Sequence, residues 1–178
     1  MFDSSFPFSL IQRTPKNTGG VLAEYVFHFR TKKRRYIVVA EEYNHRVFAV
    51  KFYPADRKTD DHRFNIVLND FEFAPIIRTC INVMQWLLEK YPTASFAYVG
   101  ANSITPSHTE SKAFTKRYRI YRYVMDVFLN PEKFERYFST KNSAVLLVNN
   151  INENVPALAI AMIEMFMEIY DELEYYNQ

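Results

Sequence analysis

The sequence predicts an α+β domain: a mixed, mainly antiparallel sheet of about six strands covered by three helices, in the order β-β-β-β-α-β-α-β-α. Three observations carry that expectation. Apolar residues alternate between Glu24 and Tyr53, the period of half-buried strands. They recur at three- and four-residue spacing after Ala74, over 115–129 and again after Val155, the period of helices. A short apolar run, Ser95-Phe-Ala-Tyr-Val-Gly100, stands between the first two helical patterns and reads as a central strand.

Residues 1–23 read as an irregular arm, with room for one short element, because Pro7, Pro15, Gly19 and Gly20 punctuate them. A single domain is then expected over 24–178. Its first strand, Glu24 to Thr31, puts Tyr25, Phe27 and Phe29 on one face and Val26, His28 and Arg30 on the other. A charged turn at Lys32-Lys33-Arg34 leads into Tyr36–Tyr43, and Tyr43-Asn44-His45 turns into Val47–Tyr53, where Phe48, Val50 and Phe52 share a face. After the polar connection from Pro54 to His62, Arg63–Leu68 is read as a fourth strand.

The first helix carries Ile77, Cys80, Ile81, Met84, Leu87 and Leu88 on its core side, with Pro75 in its first turn. A long loop from Ala101 to Ser111 precedes the helix at 115–129, which Pro131 limits. The pattern at Phe134–Phe138 is indeterminate, Ala144-Val-Leu-Leu-Val148 is a further strand, and Val155–Tyr176 is a last helix with Pro156 in its first turn.

Composition narrows the class. The 178 residues match one ordinary domain, able to bury roughly two-thirds of its unfolded surface. With 16 Phe and 13 Tyr against 3 Gly, core material is plentiful and glycine-built loops are scarce, which excludes disorder for most of the chain. The lone Cys80 permits no intramolecular disulfide and no cysteine cluster for zinc, so a reducing, cytoplasmic compartment is expected. The N-terminus lacks a basic region followed by an apolar run, and no apolar stretch reaches the roughly 18 residues of a span, so no membrane association is expected.

The element order is similar to the central part of the GNAT-type N-acetyltransferase fold, over about residues 24–150. That resemblance implies a fold and a cleft, with the strands at 94–100 and 143–149 splayed apart. It also implies acetyl coenzyme A, whose pyrophosphate the family holds on backbone amides of an Arg/Gln-x-x-Gly-x-Gly/Ala turn before the first helix. The matching segment here, Leu68-Asn-Asp-Phe-Glu-Phe-Ala-Pro-Ile-Ile77, has no glycine, carries two acids and loses an amide at Pro75. No cofactor is therefore predicted, and acetyl coenzyme A enters only with an atypical donor site. Walker and dinucleotide fingerprints fail for want of glycines as well.

Metal binding is not expected, since His28, His45, His62 and His108 are scattered. The loop before the second helix gathers Asn102, Ser103, Ser107, His108 and Glu110, the amide, hydroxyl, imidazole and carboxylate groups of acyl-transfer chemistry, without a nucleophile-elbow pattern. In the following helix Arg117 projects on the apolar side within the first turn, either toward a bound anion beyond the end of the 95–100 strand or into a bridge with Asp70, Glu72 or Glu110.

A basic surface is offered by Lys32, Lys33, Arg34 and Arg35 at one turn and by Lys112, Lys116, Arg119 and Arg122 at another. The chain's net charge of +2 nevertheless argues against a nucleic-acid binder. The last helix is apolar at nearly every angle of its first half, which fits a homodimer contact or burial within one chain. The expected function is a non-catalytic binding or interaction module for a protein or a small anionic ligand, with a crevice at the 100–117 loop. An acyl-coenzyme-dependent N-acyltransferase is the alternative, and a nucleic-acid-associated protein the third reading.

Overall fold

A computed structural model describes residues 4–65 and 72–173. The elements are β1 (Phe8–Thr18), β2 (Val21–Arg30), β3 (Arg35–Tyr43), β4 (Val47–Pro54), α1 (Phe73–Lys90), β5 (Ser95–Val99), β6 (Ile104–Thr105), β7 (His108–Thr109), α2 (Lys116–Phe128), β8 (Phe134–Ser139), β9 (Ala144–Asn149) and α3 (Val155–Ile169). Seven strands form one sheet in the order β1-β2-β3-β4-β5-β9-β8, and β6 with β7 makes a separate small hairpin. Every seam of the large sheet is antiparallel except β4 with β5. The α+β class and the mainly antiparallel sheet follow the sequence pattern.

Several local expectations are corrected. The supposed arm contains β1, which pairs with β2 from Phe8↔Phe29 to Thr18↔Val21. As an edge strand it tolerates Pro15 and two register shifts, and its mostly exposed residues hide the alternation that marks a buried strand. This adds one strand to the expected six. Residues 63–65 form a turn instead of the start of a strand, and 66–68 lie outside the described residues. The indeterminate 134–138 segment is the edge strand β8. The last helix, expected to run to Tyr176, ends at Ile169 with 170–173 beyond it, and 174–176 lie outside the described residues. The strands at 94–100 and 143–149 do not splay: β5 and β9 pair from Phe96↔Leu147 to Val99↔Ala144.

Two cores lie on opposite faces of the sheet. On one face α1 and α2 cover the large aromatic residues of β2, β3 and β4, with Phe27 edge-on to Trp86 at 5.3 Å and Phe29 stacked on Tyr36 at 5.2 Å. On the other face α3 packs Ala159, Met162 and Phe166 against Tyr43, Val47, Leu146 and Val148. No helix among the described residues is long and apolar enough to cross a membrane.

Direction follows from this topology. Because β4 and β5 are parallel, both run toward the end of the sheet where the 32–35 turn, the 55–65 connection and the 100–115 loop lie. The chain therefore brings the first turns of α1 and α2 to that same end.

Candidate functional site

The single parallel seam is short. Val47, Phe48 and Ala49 pair with Ser95, Phe96 and Ala97, and beyond the two alanines the strands part. On its other side β4 stays paired with β3 as far as Tyr36↔Pro54, and β5 stays paired with β9 as far as Val99↔Ala144. Both strands are thus held from outside while the space between them opens. The opening is a cavity of about 840 Å³. Ala49 and Ala97 lie at its closed end, where larger side chains would fill it.

The walls come from both faces. Ile77, Cys80, Ile81 and Met84 of α1 and Ile120, Tyr121 and Met125 of α2 line one side, and Ile163, Phe166 and Ile169 of α3 line the other. Four cations, Lys51, Arg63, Lys116 and Arg117, and two acids, Asp171 and Glu172, complete the lining.

The neighbourhood of Arg117 is held by a local network. Thr115 caps α2 by accepting from the Tyr118 amide at 3.1 Å, and its hydroxyl donates to the Gly100 carbonyl at 2.6 Å. Ser143 joins these pieces, accepting from the Thr115 amide at 2.9 Å and donating to the Lys112 carbonyl at 2.7 Å. Gly100 is required by space: a Cβ there would lie 2.4 Å from the backbone nitrogen of Tyr118. The end of β5 and the start of α2 therefore touch backbone to backbone.

Glu110 ties the small hairpin to the same helix. Its carboxylate accepts from the Ser103 amide at 2.9 Å and the Lys116 amide at 2.7 Å. Partial burial pushes this carboxyl up, but those amides, the Ser103 hydroxyl and the charge of Arg117 outweigh it and hold the group below the usual glutamate value. Asn102 donates to the Glu110 carbonyl at 3.1 Å and receives Asn65 on its own carbonyl and side-chain oxygens at 2.9 and 3.1 Å. Arg117 itself donates from Nη1 to the Phe64 carbonyl. Of its expected acidic partners, Glu110 has its ionisation favoured by the Arg117 charge, and Asp70 lies outside the described residues.

The structure thus brings together Arg117, Asn102 and Ser103, and leaves Ser107 and His108 at the exposed tip of the β6–β7 hairpin. There His108 is held through its backbone, its amide donating to Thr105 Oγ1 at 3.1 Å. Lys32, Lys33 and Arg35 are exposed at the β2–β3 turn, and Arg34 is half-buried with Asp56 at 4.0 Å. Lys112 pairs with Glu172 at 2.6 Å, while Arg119 and Arg122 lie over aromatic rings. No group of three or more His, Cys, Asp or Glu able to hold a metal occurs among the described residues.

The sequence pattern did not single out Lys51, Arg63 or Tyr121. Arg63 lies over the rings of Phe64 and Tyr53, at 4.8 and 5.4 Å, and Lys51 pairs with Glu41 at 2.6 Å. Burial pushes the hydroxyls of Tyr98 and Tyr121 well above the ordinary tyrosine value, and the Cys80 thiol up to about 12. At neutral pH these groups of the wall are uncharged. Compared with protein-family models, curated proteins and solved structures, the chain has no match.

Proposed function

We propose that the chain is a non-catalytic binding module whose cleft between β4 and β5 takes a small ligand with an extended apolar body and an anionic end. The observation that carries this reading is the split itself, a cavity of about 840 Å³ between two strands that are otherwise fully paired. Its size falls in the roughly 300–1,000 Å³ range of small-molecule sites, with mostly apolar walls and a few placed polar groups. Arg117 and Lys116 supply the cationic end, and the apolar walls supply the body. The neutral state of Cys80, Tyr98 and Tyr121 supports binding over catalysis, because none is primed as a nucleophile or base near pH 7. A cytoplasmic setting belongs to the same proposal and rests on the lone, buried, free Cys80.

The second reading is an N-acyltransferase with an atypical donor site. The sheet order and its one parallel seam at the split support the resemblance to the N-acetyltransferase fold. The start of α1, Glu72-Phe-Ala-Pro75, still lacks the glycines and the full set of amides for a pyrophosphate. A homodimer through α3 is also proposed. Ile160 on that helix and Ile151 just before it are exposed, and light scattering that returns a strict monomer at high concentration removes the idea.

Thermal shift with fatty acids, acyl coenzymes and aromatic carboxylates tests the main reading. An anionic apolar ligand should raise the midpoint of the native chain, and Ala97→Leu, which fills the closed end, should abolish that rise while the protein stays folded. Arg117→Lys should weaken the rise. No shift across the panel overturns the binding reading. A shift with acetyl coenzyme A accompanied by release of free thiol in the presence of amines replaces it with the second.

A further inference from the structure

Outside the cleft, the segment that carries α2 and β8 is markedly basic, as is the N-terminal third of the chain. Residues 111–143 carry eight Lys and Arg against three Asp and Glu, whereas the whole chain carries 22 against 20. The remainder is therefore net negative, and the small total hides a basic region.

The structure shows which of these cations share a surface. Arg119 lies over the Phe114 ring at 5.5 Å. Arg122 lies over Phe138 at 4.2 Å and over Tyr118 at 5.7 Å, which joins the outward side of α2 to β8, an edge of the sheet. Phe114, Tyr123 and Phe138 are 50%, 61% and 37% exposed, three of the exposed rings among the described residues. Among the described residues neither Arg119 nor Arg122 makes an ion pair, and Arg136 meets Asp126 instead. A guanidinium that lies over a ring keeps its N–H bonds in its own plane, pointing outward, where phosphate oxygens can reach them.

We infer that this surface, the outward side of α2 with Phe114 and the β8 residue Phe138, binds single-stranded nucleic acid. Bases stack on Tyr123, Phe114 and Phe138, and phosphates meet Arg119 and Arg122. Exposed rings alternating with cations suit a strand whose base faces are open, since each base presents a π-face. A duplex keeps those faces inside its own stack and offers no such contact. A membrane surface fits less well, because the apolar side of α2, with Tyr118, Val124 and Met125, is buried in the core and no continuous apolar stripe remains to insert. This inference is independent of the cleft and its ligand.

The test is fluorescence anisotropy of the full chain with a labelled oligodeoxythymidine over a series of salt concentrations. Affinity should fall with salt, and each of Arg119→Ala and Arg122→Ala should reduce the slope of log K against log salt by about 0.7. Tyr123→Ala, at an exposed position, should weaken binding about tenfold with the slope unchanged. The double variant Arg119→Lys/Arg122→Lys should keep the slope and lose affinity. Lys32→Ala/Lys33→Ala should change neither. No binding at low salt overturns the inference. It is equally overturned if duplex DNA or phosphatidylserine vesicles bind better than the single strand, or if Tyr123→Ala binds as the native chain does. Loss through the Lys32→Ala/Lys33→Ala pair would put any binding at the β2–β3 turn and overturn it too.

Discussion

The strand β4 has two edges with opposite fates. Against β3 it is paired through eight successive positions, from Val47 opposite Tyr43 to Pro54 opposite Tyr36. Against β5 it is paired through three, and the ladder stops at Ala49 opposite Ala97. The same backbone thus closes a hairpin on one side and borders a cavity on the other. The difference lies in what stands beyond each seam. Between β3 and β4 nothing intrudes, so a short turn sets the register and the ladder runs to its end. Beyond Ala97, β5 is drawn away: its far edge stays with β9, and its last residues meet the first turn of α2 through Gly100, Thr115 and Ser143.

The most direct way to break this contrast is to push α2 off the end of β5. A Cβ at Gly100 would lie 2.4 Å and 2.7 Å from the backbone nitrogen and Cα of Tyr118, atoms that no rotamer change can move. Gly100→Ala should therefore destabilise the fold by about 3 kcal/mol, the upper end of an overpacking cost. Denaturant unfolding measures it. A cost below about 1 kcal/mol would mean that β5 and α2 are not locked backbone to backbone, and the account of the split would fail.

Thr115→Ala removes the same link more gently. The substitution takes away the cap on the Tyr118 amide and the bond to the Gly100 carbonyl, for about 1–2 kcal/mol. If the split is held open by this attachment, ligand affinity in the cleft should fall along with stability. A loss of stability with unchanged affinity would show that the seam stays parted without it.

These residues also mark where the sequence was legible and where it was not. The meander of β2, β3 and β4 was readable because one face is buried, so Tyr25, Phe27 and Phe29 alternate with less buried neighbours. Edge strand β1 was not, since a strand exposed along most of its length has no such alternation to display. Arg117 stood out because a cation on the apolar side of a helix needs a reason. The cleft did not, because it is an absence of pairing between segments whose facing residues lie 48 positions apart, as Ala49 and Ala97 do, and period two looks the same in a paired and an unpaired strand. Ala49 and Ala97 carry the only local trace of it, as small residues at the last rung, and small residues in strands are common.

Glu110 sharpens the comparison through pH. Its folded-state ionisation lies below the usual glutamate value of about 4.5, so it contributes stability above that value and loses the contribution as pH falls through the folded value. Glu110→Gln should lower the thermal midpoint at neutral pH by less than Thr115→Ala does. The two proteins should converge in acid, once the native carboxyl is protonated. A difference that persists unchanged at low pH would show that the Ser103 and Lys116 amides bind the side chain by shape and not by charge.

The smallest effect is expected where Lys112 from the loop before α2 meets Glu172 beyond α3 at 2.6 Å. Both side chains are solvated, 72% and 81% exposed, and the Lys112 ammonium lowers the Glu172 carboxyl only as a surface neighbour. Exposed pairs of this kind contribute little to stability and are screened by salt. Lys112→Ala should thus leave the thermal midpoint where it is at physiological ionic strength. Contacts to the buried Tyr43 hold the end of α3 in any case: the Tyr170 hydroxyl meets the Tyr43 hydroxyl at 2.5 Å, and Phe166 packs edge-on to Tyr43 at 5.1 Å. A salt-sensitive drop of several degrees in the variant would reverse that ranking. The end of α3 would then be clasped across the cavity by charge, and the two edges of β4 would differ because the open one is strapped from outside as well as wedged by α2.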